Sequence, residues 1–214
     1  MSIVQSFHTE TQQSAPMCQV EEAASMPRGQ KDPLWTSVGI RLCTVRMNAK
    51  ISSTEVAARA GVAYSMVLEI ENTARVPRVD SAEKIACALG VCPSWLCFGP
   101  DGNEPFRERI RRPVGFIQKS PRAVPGGIPC GEAYRDIPKR LKAAREALGL
   151  SLRAVARESQ LSAQSLSTTE LGTTIPTVEN IEAIAKALGV SPGWLAFGIG
   201  RGPDGRKHRA QPVA

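Results

Sequence analysis

"GVCPSWLCFG" occupies residues 90–99 and "GVSPGWLAFG" occupies residues 189–198, a displacement of 99 positions. At that displacement the stretches 38–99 and 137–198 align without a gap, with about a third of the positions identical. Shared positions include Arg41/Arg140, Leu42/Leu141, Arg46/Arg145, Ser52/Ser151, Glu71/Glu170, Pro77/Pro176 and Trp95/Trp194. An ungapped match over some sixty residues marks two copies of one small domain. Each copy, at roughly 65 residues, is near the lower limit at which one apolar core sustains a fold unaided.

The repeat divides the chain into a polar head (1–36), a first domain (37–99), a linker (100–134), a second domain (135–198) and a basic tail (199–214). The linker is rich in Pro and Gly ("PRAVPGGIPCG"), and head and tail are expected to be disordered, with Leu34 and Trp35 docking onto the first domain. The formal net charge of +7 is spread unevenly: about −2 in the head, about +2 in each copy and in the linker, about +3 in the tail. Such a balance permits a polyanionic partner without requiring one. No apolar run is long enough to span a bilayer and no signal peptide opens the chain, so a cytoplasmic location with no membrane partner is expected.

Cysteines stand at 18, 43, 87, 92, 97 and 130, but the two histidines, His8 and His208, lie in the tails and no CxxC pair exists. In the second copy Cys43, Cys87, Cys92 and Cys97 become Lys142, Lys186, Ser191 and Ala196 with the pattern intact. The cysteines read as small reduced thiols, with no metal and no cofactor. Paired carboxylates, a nucleophile–base set and a phosphate loop are all missing, which argues against an enzyme.

The periodicity within one copy predicts five short helices. Val38, Leu42 and Val45 share a face of the first, as do Ile137, Leu141 and Ala144. Ser52 followed by Glu55 forms a capping box for the second; Ser151 keeps the cap, with Ala154 in place of the acid. That helix buries Val56, Ala57 and Ala60 and breaks at Gly61, whereas Gln160 makes the corresponding turn less favoured. The third helix, 63–71, points Val67 and Ile70 inward; its counterpart offers Leu166 and Thr169, which predicts a weaker helix. The fourth spans about 79–89 and 178–188, and the fifth opens on Pro93 or Pro192. Trp95 and Trp194 are expected to plug the core.

"ISSTEVAARAGVAYSMVLEIE" with "AEKIACALGVCPSWLCFG", and "LSLRAVARESQLSAQSLSTTE" with "IEAIAKALGVSPGWLAFG", resemble the lambda-repressor-like helix-turn-helix domain of the Cro/cI-type, xenobiotic-response-element family. The resemblance covers about 60% of the chain and implies an all-α fold of two five-helix domains joined by the Pro/Gly-rich linker. It implies structural ion pairs Arg46–Glu71 and Arg145–Glu170. It also places the third helix in the major groove of double-stranded DNA. Carried over by position, the base-facing residues are Tyr64, Ser65, Leu68 and Glu69 in one copy and Gln164, Ser167 and Thr168 in the other. Phosphate contacts fall to Ser53, Arg75, Arg78, Arg153 and Arg157. The chain departs from the family in carrying Ser53 and Leu152 after the cap, and no Lys or Arg in either third helix.

The function so implied is a sequence-specific transcription regulator, a bacterial or mobile-element repressor that occludes a promoter, with no small-molecule ligand. The alternative is a protein-interaction module, anti-activator or antitoxin-like, binding a protein partner on the same helices. A single chain can supply two reading domains, or two chains can pair as a homodimer. A flexible linker of thirty-five residues spans roughly 30–35 Å, close to the ~34 Å between half-sites one turn apart. "FRERIRR" (106–112) and the tail can add phosphate contacts or be solvated charge.

Overall fold

The computed structural model describes residues 34–72, 75–103, 132–205 and 207–208. The linker's "FRERIRR" and its Pro/Gly-rich stretch lie outside the described residues, as does the head up to Pro33.

A short 3-10 helix, η1 (Leu34–Ser37), leads into α1 (Val38–Asn48), which buries Val38, Leu42 and Val45 on one face. Gly39 lies on that face too: a Cβ there would sit 2.2 Å from the carbonyl oxygen of Ile70, so α1 approaches the next-but-one helix backbone to backbone. α2 (Ser53–Ala60) starts at the cap expected, Ser52 Oγ accepting from the Glu55 N–H at 3.1 Å. Glu55 pairs its carboxylate with Arg59 one turn on. α3 (Tyr64–Glu71) buries Val67 and Ile70, α4 (Val79–Ala88) buries Val79, Ala82, Ile85 and Ala86, and α5 (Pro93–Phe98) buries Leu96 and Phe98. A second 3-10 turn, η2 (Pro100–Asn103), packs on α5.

The second copy repeats the plan: η3 (Ala133–Asp136), α6 (Ile137–Ala147), α7 (Leu152–Ser159), α8 (Ala163–Glu170), α9 (Val178–Leu188) and α10 (Pro192–Phe197). Two of its features differ from the sequence expectation. α8 is as long as α3, because Ser162 Oγ caps the Ser165 N–H at 3.0 Å and the buried Thr169 hydroxyl donates to Ser165 O at 2.8 Å. A satisfied hydroxyl can stand in the core where an unpaired one cannot. The start of the tail is ordered: β1 (Gly200–Arg201) pairs antiparallel with β2 (Lys207–His208), and Ser191 donates its N–H to Arg201 O at 3.0 Å.

Helix is otherwise the rule, and the fold is all-α with two helix-turn-helix domains. Trp194 is buried and Trp95 half-buried. Among the described cysteines, Cys43, Cys92 and Cys97 are not in disulfides, and burial pushes the Cys97 thiol up. Cys87 departs from the expectation of reduced thiols: it is disulfide-bonded.

The two copies do not hang apart on a tether. Their buried residues form one continuous core cluster, with α5 packed against α10. Val79 donates its N–H to Pro176 O at 3.1 Å and Val178 donates to Pro77 O at 3.0 Å, closing an antiparallel bridge between Arg78 and Thr177. The buried carboxylate of Glu182 accepts from Leu34 N–H at 3.1 Å, and that of Glu83 accepts from Ala133 and Tyr134 N–H at 2.9 and 3.3 Å. Leu34, expected to dock onto the first domain, therefore also ties that domain to the second. The expectation of a separation set by linker length gives way to direct packing.

Candidate nucleic-acid interface

In each copy the turn between the second and third helices is tight. After α2 the chain enters the left-handed region at Gly61 (φ 63°), and Val62 N–H reaches back to Ala57 O at 3.1 Å. Gln160 takes the same conformation (φ 58°), with Leu161 N–H on Ala156 O at 3.0 Å. The same hydrogen bond thus holds the turn with and without glycine, at the cost of Cβ crowding in the second copy.

α3 and α8 are each held against the first helix of their own copy by a guanidinium–carboxylate pair. Arg46 Nε and Nη2 donate to the two oxygens of Glu71 at 2.6 and 3.2 Å, and Nη1 donates to Ile51 O at 3.1 Å. Arg145 does the same with Glu170 at 2.9 and 2.7 Å and with Leu150 O at 3.0 Å. Each arginine's pKa is raised, chiefly by the hydrogen bond to its glutamate. Bidentate pairing fixes orientation as well as distance.

The face left outward by this clamping carries the residues singled out from sequence. Tyr64 is 48% exposed and Ser65 is exposed, while Leu68 and Glu69 are half-buried further along α3. On α8, Gln164 is exposed and Ser167 and Thr168 are half-buried. Thr168 donates its hydroxyl to Ser165 O at 3.0 Å. Glu69 is not an isolated carboxylate: Arg75 Nη1 donates to it at 3.1 Å.

The residues assigned to phosphate fall into three situations. Ser53 donates its hydroxyl to Glu71 Oε2 at 3.1 Å, turning inward to the structural pair. Arg75 is engaged with Glu69, and Arg78 lies 3.6 Å from Asp80 at the bridge between the copies. Arg153 and Arg157 stand exposed on α7, one turn apart, with no ion pair among the described residues.

Comparison with known proteins agrees with this geometry. The helix-turn-helix family model matches the chain twice, at residues 44–96 and 141–195, together about half its length. The chain belongs to the Cro/cI-type helix-turn-helix family. It is by that membership a DNA-binding transcription regulator, and the family is not an enzymatic one. The crystal structure of a hypothetical transcription factor from Neisseria is similar at 25% identity, over 40% of this chain and 94% of its own, with a TM-score of 0.31. No curated protein matches the chain. No helix among the described residues of this helix-turn-helix protein is long and apolar enough to cross a membrane.

Sequence reasoning missed the residues that join the site's two halves. Arg41 donates to Leu96 O, Cys97 O and Leu34 O at 2.7, 2.6 and 2.8 Å; Arg140 donates to Leu195 O, Ala196 O and Ala133 O at 2.8, 2.7 and 2.6 Å. Each thereby closes the C-terminal carbonyls of the last helix and anchors the 3-10 turn that the other copy's glutamate grips. Burial lowers both arginines to about 10, which leaves them charged at neutral pH. The available signal was a charge repeated in both copies within an apolar face: Glu83 between Ala82 and Ile85, and Glu182 between Ile181 and Ile184.

Proposed function

We propose that this protein is a sequence-specific repressor of bacterial or mobile-element type that occupies a promoter through both helix-turn-helix units and blocks polymerase. The observation that carries the reading is the outward face of α8, where Gln164 is exposed, together with Arg153 and Arg157, exposed on the preceding helix α7. An exposed amide can pair bidentately with an adenine edge in the major groove, and neighbouring guanidinium groups can hold phosphates and set the register. Tyr64 and Ser65 offer base contacts on α3, with Leu68 and Thr168 suited to thymine methyls. Ser167 completes the α8 face. Arg75 and Arg78 take phosphates once they leave Glu69 and Asp80, while Ser53 is better explained by its bond to Glu71.

The absence of Lys and Arg from α3 and α8 favours a second reading, a protein partner on the same faces. Retention of fragmented genomic DNA on the purified chain, sequenced and repeated across a salt series, separates the two. Repression through DNA predicts a recovered motif near promoters and retention that falls steeply with salt. Retention of no sequence above bulk DNA would sink the DNA reading and leave the protein partner.

A further inference from the structure

Among the described residues, two pairs of polar contacts between the copies are reciprocal, each contact answered by one displaced 99 residues on both sides. Val79 to Pro176 answers Val178 to Pro77, and Glu182 on the Leu34 N–H answers Glu83 on the Ala133 N–H. α5 meets its own equivalent, α10. Contacts of this reciprocal kind belong to an isologous interface, in which the same patch is used twice about a two-fold axis; a head-to-tail arrangement joins unlike patches and shows no such reciprocity. The copies are therefore related by a pseudo-two-fold inside one chain.

That relation constrains the ligand, given the DNA reading above, on which this inference rests. A two-fold carries α3 into α8 with its direction reversed, and B-DNA offers matching local two-fold axes because its strands run antiparallel. Half-sites read by such a pair are inverted relative to one another. A flexible tether would impose no orientation. The residues facing the groove differ at every equivalent place: Tyr64 against Ala163, Ser65 against Gln164, Leu68 against Ser167, and Glu69 against Thr168. Glu69 brings a carboxylate held by Arg75 to one half, whereas the uncharged Thr168 stands at the equivalent place in the other, whose preceding helix exposes Arg153 and Arg157. The patch around α5 and α10 that could pair two chains is already closed within one, with Trp194 7% exposed and Leu195 fully buried.

We infer that the target is an inverted pair of unlike half-sites, occupied by one chain in a single orientation. The chain is a regulator dimer in covalent form, with the symmetry kept in its scaffold and lost in its reading residues. Its binding is first order in protein, with no dimerisation step to set a concentration threshold.

The test uses the full-length chain and a pool of random-sequence duplexes, followed by synthetic duplexes carrying the recovered motif with one half flipped in place. The expected motif has two different halves in opposite orientation. Flipping one half should lower affinity about 100-fold, the scale on which a second linked contact contributes. Sedimentation should find one chain per duplex and binding should follow a simple hyperbola. A direct repeat, two identical halves holding two chains, or indifference to the flip would each overturn the inference while leaving DNA binding intact. Recovery of no motif at all overturns the DNA reading itself and this inference with it.

Discussion

Arg41 and Arg140 each place a full guanidinium on three main-chain carbonyls, at a helix end and at the turn before the domain's first helix. A planar fork suits that geometry and a single ammonium does not. Arg41→Lys should therefore cost about 2 kcal/mol in urea unfolding although it keeps the charge; a cost near zero would mean the carbonyls find water instead. The reading residues divide in the same physical terms. Gln164→Ala should relax preference at one base position, worth about 1–3 kcal/mol. Arg157→Ala should weaken all sequences alike and lower the salt slope by about one. A shifted motif from Arg157→Ala would show that readers and anchors have been confused. The periodicity and the family resemblance made α3 and α8 legible. What they could not reveal was where side chains turn: Ser53 looked like a phosphate ligand by position, yet its hydroxyl is taken by Glu71.

At the scale of elements, the two turns into α3 and α8 compare one geometry with two chemistries. Gly61 adopts φ 63° freely, while Gln160 holds φ 58° with a Cβ in the crowded region. Gln160→Gly should raise stability by about 0.5–1 kcal/mol, the relief of strain outweighing the greater freedom of the unfolded chain. Thermal melting of the single variant checks it, and an unchanged or lower midpoint would mean the turn is not strained. Helix lengths and most boundaries could be read from apolar spacing and caps. The strength of α8 could not, because Thr169 counts as polar in a pattern and only the structure supplies its acceptor on Ser165. The β1–β2 hairpin was equally hidden, since four paired residues in a basic tail carry no alternation to detect.

For the whole molecule, pairing within one chain has thermodynamic consequences. The melting midpoint should not move with protein concentration, as it would for a dissociable dimer. Glu83→Ala combined with Glu182→Ala removes the acceptors for Leu34, Ala133 and Tyr134 N–H groups and should loosen one copy from the other. Calorimetry should then resolve two unfolding steps in place of one; a single step at an unchanged midpoint would place the coupling elsewhere. The repeat announced two domains but could not announce how they meet, because a 99-residue displacement is equally compatible with a tether and with a pseudo-dimer. The difference rests on contacts such as the Arg78–Thr177 bridge, formed by residues that read locally as loop.

The most direct test of that pairing is amide hydrogen exchange at Val79 and Val178, whose N–H groups bond only across the copies, to Pro176 O and Pro77 O. Both amides should exchange as slowly as the core helices and independently of protein concentration. Exchange at the rate of open loops would mean that the copies are tethered rather than joined, and the paired reading of DNA would fall with it.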